Sequence, residues 1–337
     1  CAVARSRFEG RAMSCTLNPP GLPPLRSILK SRDVEDPVNL WFNRPLAYAF
    51  VALIYRTPIT PNQVTLLSLL VGVVAAGFWV AGSAQAMVWG GILLWTSAIL
   101  DGADGILARA KHMFSDLGRA LDGSADLVVG VATILAASYH LWLKHHSLAL
   151  LVLVPLAIGG SILHIYLYDY YKESFLMMTR RDWNGVAESI QDVEERYRKL
   201  KAERAHPWHV WATKLYVDLI VGQTNVVRRT NPQGARQNLR FTVTERSVAE
   251  YRRYNLGPLR VWTAISLAPH TYLMAISSMF DRIDLYLWFR VVGANALFLL
   301  ALLWQRHASA RTLAALEAAG TPPVPHFAGQ PALEHAQ

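Results

Sequence analysis

The sequence predicts an all-α polytopic membrane protein with six transmembrane helices. An N-terminal interfacial helix precedes them, and a cytoplasmic helical insert separates the fourth span from the fifth. Three observations carry this expectation. Hydrophobic residues make up 53% of the 337, with mean hydropathy +0.21. They gather in runs near 20 residues long, the length that crosses a bilayer core. The loops between the runs alternate between rich and poor in Lys and Arg, as loops on opposite sides of a membrane do.

Residues 1–36 are basic and rich in Pro, Ser and Arg, and read as a disordered tail. The sequence opens on Cys1, and Met13 reads as an initiator. The two cysteines, Cys1 and Cys15, both fall in this tail, so neither a disulfide framework nor a cysteine metal site is implied. No aromatic interleaving accompanies the basic residues, and no nucleic-acid partner is expected. The net charge of +9 suits contact with anionic lipid head groups instead.

Residues 37–171 hold the interfacial helix and spans one to four. Asn39–Arg56 contains the apolar run LAYAFVALIY, too short to span, with Pro45 suited to a first turn. The predicted spans are Val64–Gly82, Met87–Ala110, Leu117–Leu141 and Ser147–Tyr171, then Leu259–Met279 and Leu285–Arg306 within residues 259–306. Lys and Arg crowd the stretch before Val64, the Arg109–Arg119 hairpin, the insert and the tail after Trp304, while Ser83–Ala86 has none. The positive-inside rule then puts both termini, the hairpin and the insert in the cytoplasm. Residues 307–337 form a C-terminal tail.

The insert, residues 172–258, carries most of the net charge: Lys172 to Arg260 holds 17 Lys/Arg against 10 Asp/Glu. Asp182–Arg204 reads as a charged helix, and Trp208, Trp211, Leu215 and Leu219 have the spacing of an amphipathic helix on a membrane or of a packing element.

The functional signal is the stretch DGADGILARAKHMFSDLGRALDGSAD, residues 101–126. Ionisable groups at membrane depth are expensive and mark function. At about 100° per residue, Asp101, Asp104, Gly105, Ala108 and Arg109 share one helical arc, and Gly118, Asp122 and Asp126 share another. A hairpin through Lys111–Ser115 would face the arcs together. Four facing carboxylates repel unless divalent cations lie between them, and oxygen-only ligands suit Mg2+, Mn2+ or Ca2+ rather than zinc. The small residues Gly105, Ala108 and Gly118 leave room for a ligand at the backbone. Arg109 offers a fork of donors for phosphate, its alternative being a snorkelling cation at a helix end. Ser115 can cap the second helix, touch a ligand, or do both.

Written Asp101-x2-Asp104-Gly105-x2-Ala108-Arg109-x8-Gly118-x3-Asp122-x3-Asp126, the stretch resembles the signature of the CDP-alcohol phosphotransferases, with every fixed position filled. A second, shorter element, Thr60-Pro61-Asn62-Gln63-Val64-Thr65, precedes the first span, where Asn62 and Thr65 either begin a helix or contact nucleotide. The resemblance implies a membrane enzyme that transfers a substituted phosphate from a CDP-alcohol lipid to an acceptor hydroxyl, phosphorylated or not, releasing CMP. It implies two Mg2+ or Mn2+ ions on Asp101, Asp104, Asp122 and Asp126, with Asp126 also the base. Gly105, Ala108, Arg109, Ser115 and Gly118 would receive the CDP portion, and a homodimer is expected. A non-catalytic scaffold of the same fold, or an ion-coupled transporter, is the alternative.

Other polar residues have open roles. His164 and Asp169 could form a polar pair or touch substrate. His206 and His209 stand i, i+3 but lack nearby acids. Arg290 should snorkel or face a cavity, and Arg180, Arg181 and Arg260 could border an acceptor or bind lipid.

Overall fold

The computed structural model describes residues 21–28, 33–114, 116–179, 190–203, 206–237 and 244–318. Among these, every regular element is helical. A short α1 (Leu25–Ile28) is followed by a π-helical turn, Asn39–Asn43, that runs directly into α2 (Arg44–Ile54). Then come α3 (Pro61–Ala81), α4 (Ala84–Lys111), α5 (Asp116–His145) and α6 (Leu148–Thr179). The insert holds α7 (Ile190–Ala202), α8 (Pro207–Thr230) and α9 (Pro232–Gln237). The chain ends in α10 (Glu245–Ala264), α11 (Leu267–Met279), α12 (Ile283–Trp288), a second π-helical stretch at Phe289–Gly293 and α13 (Ala294–Ala318).

Five of these stretches are long and apolar enough to cross a membrane: Pro61–Ala81, Ala84–Lys111, Leu121–His145, Leu148–Thr179 and Ile283–Ala318. The predicted fifth span, Leu259–Met279, is divided instead. Its first residues continue the polar α10, the chain breaks at Ile265–Ser266, and α11 restarts at Leu267. Pro269 accounts for the break, because its ring would clash with the carbonyl of Ile265 and it has no N–H to donate there. Of the charged helix expected over Asp182–Arg204, residues 190–202 are helical.

Local chemistry sets the helix ends near the motif. Thr60 and Gln63 form a reciprocal capping box at the start of α3, with Pro61 in its first turn. His112 ends α4 in the left-handed conformation, at φ 55°. Lys111 then folds back, its Nζ donating to the carbonyls of Thr57 (2.9 Å) and Ile59 (2.8 Å). This ties the end of α4 to the entrance of α3.

Small residues bring the helices close. A Cβ on Gly72 of α3 would stand 2.7 Å from Val129 of α5 and 2.9 Å from the Ser97 hydroxyl of α4. A Cβ on Gly91 would stand 2.5 Å from the Ala275 carbonyl, so α11 packs directly on α4. Trp79, Met87, Leu94 and Ala275 fill the core below this contact. The polar face of α4 is thereby walled by α3, α5 and α11.

Candidate functional site

Asp101 and Asp104 lie on one side of α4, and Asp122 approaches from α5 across the hairpin. One carboxylate oxygen from each of the three falls within 4.8 Å of the other two. Asp126, one turn further along α5, is exposed and lines the same cavity. Three of the four predicted aspartates therefore converge tightly and the fourth stands on the wall beside them. A hard cation with oxygen bonds of about 2.0–2.6 Å can bridge oxygens at such separations. Three buried or half-buried carboxylates without intervening cations are costly, so the donor set fits a divalent ion.

Asp104 is buried, and Thr65 of α3 donates its hydroxyl to the Oδ2 of Asp104 while also reaching the Pro61 carbonyl at 3.2 Å. Thr65 thus orients a carboxylate rather than standing free in the cavity. Asn62 is half-buried in the first turn of α3 and does not line the cavity.

The cavity measures about 490 Å³. Gly105 and Arg109 line it with the aspartates. A Cβ on Gly105 would stand 3.4 Å from Arg109 Nη1, so the guanidinium lies along the helix against the glycine. Among the described residues the buried Nε of Arg109 has no hydrogen-bond partner, so its N–H is a donor available to an anionic ligand. Ala108 and Gly118 lie beyond the lining residues, and Ser115 lies outside the described residues.

Sequence reasoning missed the cavity lining that comes from outside the motif. Asn39, Arg44, Lys172 and Tyr272 line the cavity from the π-helical turn, α2, α6 and α11. Arg44 pairs with Glu35 at 2.9 Å and reaches the carbonyl of Gly102, between the motif aspartates, at 3.4 Å. Asn39 donates its side-chain nitrogen to Glu35 at 3.3 Å and its backbone N–H to Asp36 at 2.9 Å. Tyr272 donates to the same Asp36 oxygen at 3.3 Å. Burial pushes the Asp36 carboxyl above the usual carboxylate range. Lys172 is held by Asp169 at 2.5 Å and lies over the Tyr168 ring. No spacing rule links these residues to Asp101; the one sequence signal is that Arg44 and Lys172 flank apolar runs at the same predicted membrane face.

The remaining candidates separate from the site. His164 is fully buried, stacks on Phe298 at 4.9 Å and meets Asn295 at 3.2 Å, away from Asp169. Arg290 is buried and donates to Ser161, with Nε at 3.1 Å, rather than lining the cavity. Arg260 reaches the Glu35 carbonyl at 3.5 Å, behind the wall. His206 and His209 are exposed ring neighbours, 6.1 Å between centroids. Arg180 and Arg181 lie outside the described residues.

Comparison with known proteins falls on the same helices. Residues 58–176 match the family model described as CDP-alcohol phosphatidyltransferase, a stretch that holds α3, α4, α5 and most of α6. A protein of Rubrobacter xylanophilus named "Bifunctional IPC transferase and DIPP synthase" is 33% identical over 114 residues, 31% of this chain and 26% of that protein. Proteins with the same name from Aquifex aeolicus and Archaeoglobus fulgidus are 36% identical over 116 residues and 34% over 133, covering 26% and 25% of their lengths. The matched stretch therefore spans about a quarter of these curated relatives.

Proposed function

We propose, from the premise that residues 58–176 form a domain of the CDP-alcohol phosphatidyltransferase family, that this chain transfers a substituted phosphate from a CDP-alcohol to an acceptor hydroxyl and releases CMP. The observation that carries the reading is the convergence of Asp101, Asp104 and Asp122, with Asp126 and Arg109 on the wall of one cavity. A nucleoside diphosphate needs charge neutralisation at two phosphates and a base for the incoming hydroxyl, and these residues offer both.

Asp101, Asp104, Asp122 and Asp126 would hold one or two Mg2+ or Mn2+ ions. Bound there, the ions supply positive charge against the diphosphate and acidify a neighbouring hydroxyl. Arg109, lying against Gly105 on the cavity lining, receives the phosphoryl oxygens and offsets charge that develops on them. Thr65 keeps the Asp104 carboxylate in one orientation. Asp126 takes the proton of the acceptor hydroxyl as its oxygen bonds to phosphorus, and the bond to the CMP oxygen breaks with its electron pair leaving on CMP. Gly105, Ala108, Gly118 and Ser115, with Asn62 at the entrance of α3, are proposed to border the nucleotide.

Arg44 and Lys172 in the cavity lining support an acceptor that carries a phosphate. The donor is proposed to be a lipid such as CDP-diacylglycerol, since the cavity sits on helices long and apolar enough to span a bilayer. The alternation of basic loops supports a cytoplasm-facing site, with α2 in the interface and α11 within the membrane as the sixth apolar element. A homodimer is expected from the family resemblance. A transporter would spread its acids along the membrane path, whereas here they share one end of α4 and α5.

The test is CMP release by the purified protein in lipid micelles. CDP-diacylglycerol and other CDP-alcohols serve as donors with Mg2+ or Mn2+, acceptors are added one at a time, and Asp126→Asn is the blank. Release that requires one donor and one acceptor establishes the reaction. Absence of metal-dependent CDP binding and of release with every pair overturns it.

A further inference from the structure

The α7–α8 hairpin lies outside the family-matched segment and leaves one apolar surface exposed. On α8, Trp211 is 54% exposed, Leu215 44%, Tyr216 44% and Leu219 49%. At about 100° per residue these four occupy one arc of roughly 140°. The charged pair Lys214–Asp218, 2.6 Å apart, stands at its margin. The residues pointing the other way, Val210, Thr213, Val217 and Ile220, are half-buried.

Hydrogen bonds fix the level of this helix against α6. Tyr166 donates its hydroxyl to the Leu219 carbonyl, and Gln223 donates to the Tyr166 carbonyl at 2.6 Å. Further on, Asn231 donates to the Tyr171 hydroxyl at 3.2 Å. From Leu148 to Tyr166, α6 rises about 27 Å, close to the roughly 30 Å hydrocarbon thickness. The first charged side chain after Leu148 is Asp169. Tyr166 therefore marks the far hydrocarbon boundary, where tyrosines gather.

Between its contacts at residues 219 and 231, α8 advances about 18 Å, while α6 advances about 7.5 Å from 166 to 171. α8 thus crosses α6 at roughly 65°, and its N-terminal half leads away from the level of Tyr166 at about 25° to the membrane plane, sloping several Å into the boundary. An apolar arc with a Lys at its margin, at that level and in that direction, has the features of an interfacial helix.

We propose that the N-terminal half of α8 lies in the bilayer interface, with Leu215 and Leu219 in the lipid and Lys214 at the head groups. The insert is then a membrane-seated paddle rather than a solvated lid. The inference is independent of the chemistry assigned to the aspartates.

The test uses the full chain in vesicles of phosphatidylcholine and phosphatidylglycerol, with Cys1 and Cys15 replaced by Ser. Leu215→Cys, Leu219→Cys, Lys214→Cys and Asp218→Cys each carry a nitroxide. Labels at 215 and 219 should collide several-fold more with oxygen than with a water-soluble nickel chelate, and labels at 214 and 218 the reverse. Equal nickel access at all four positions overturns the proposal. Labels at 215 and 219 shielded from both reagents also overturn it, since a protein surface then covers the arc. If the cysteine variants fail to fold, brominated lipid decides the matter. Trp211→Phe should remove a quenched fraction of the tryptophan emission, and an unchanged quenched fraction counts against the proposal.

Discussion

Thr65 donates its side-chain hydroxyl to Asp104, joining the second turn of α3 to the acidic face of α4. The same hydroxyl touches the Pro61 carbonyl, so the capped start of α3 aims one carboxylate of the cluster. The short element before the first span thereby acts on the aspartate motif by positioning it.

Thr65→Val keeps the shape of the side chain and removes the donor. A hydrogen bond to a charged group contributes about 1.5–3 kcal/mol, so the concentration of Mg2+ or Mn2+ giving half-maximal CMP release should rise about tenfold or more. Thr65→Ser should restore most of the loss. A metal titration of both variants checks this, and identical titrations for Val and wild type would refute the positioning role.

Asp126 stands on the cavity wall, while Asp101 belongs to the tight three-carboxylate group. Asp126→Asn should lower turnover by about 10²–10⁴-fold and leave measurable CDP binding. Asp101→Asn should weaken metal dependence and CDP binding together. Isothermal titration with CDP beside single-turnover CMP release separates the two, and normal turnover in Asp126→Asn would remove the base assignment.

Arg44 and Lys172 line the same cavity as the aspartates, held by Glu35 and Asp169. Arg44→Ala and Lys172→Ala should raise KM for a phosphorylated acceptor by about tenfold each, as the loss of one charge-assisted contact implies. The KM for the CDP-alcohol donor should change less. Steady-state kinetics with each substrate varied in turn distinguishes this from a general loss of folding.

At the other end of the bundle, Asp281 has φ 53° and accepts from His140 at 2.8 Å and Lys144 at 2.5 Å. Burial alone would raise its pKa, but the hydrogen bonds from Lys144 and His140 outweigh it and hold the carboxyl below the usual range. A depressed folded-state pKa stabilises above the unfolded value of about 3.9 and loses that contribution as pH falls through the folded value. Asp281→Asn, which tolerates positive φ, should therefore lower Tm at pH 7, and the gap to wild type should close as pH drops below the carboxylate range. Thermal melts in detergent from pH 7 to pH 3 test this; a gap that stays constant with pH would exclude the ionic contribution.

Much of the site was legible because its residues are close in sequence. Asp101 and Asp104 share an arc of one helix, Asp122 lies on the next, and the connection between them is short, so periodicity alone brings the carboxylates together. Thr65 carried a weaker signal, since its partner is 39 positions away. The break at Ile265–Ser266 was hidden by continuous hydropathy on both sides, although Pro269 marks it once helix geometry is considered.

The linear sequence by itself determined the helical class and the acidic motif whose carboxylates could hold a divalent cation, because these depend on composition and on residues within a few turns of one another. Only the tertiary structure decided that Asn39 and Arg44, held by Glu35 and Asp36, line the cavity, that Lys172 and Tyr272 line it with them, and that α8 crosses α6 beside Tyr166. Those neighbours lie tens to hundreds of positions apart, and what brings them together is the packing of glycine-lined helices such as α4 against α11 at Gly91, a long-range outcome that no local period encodes.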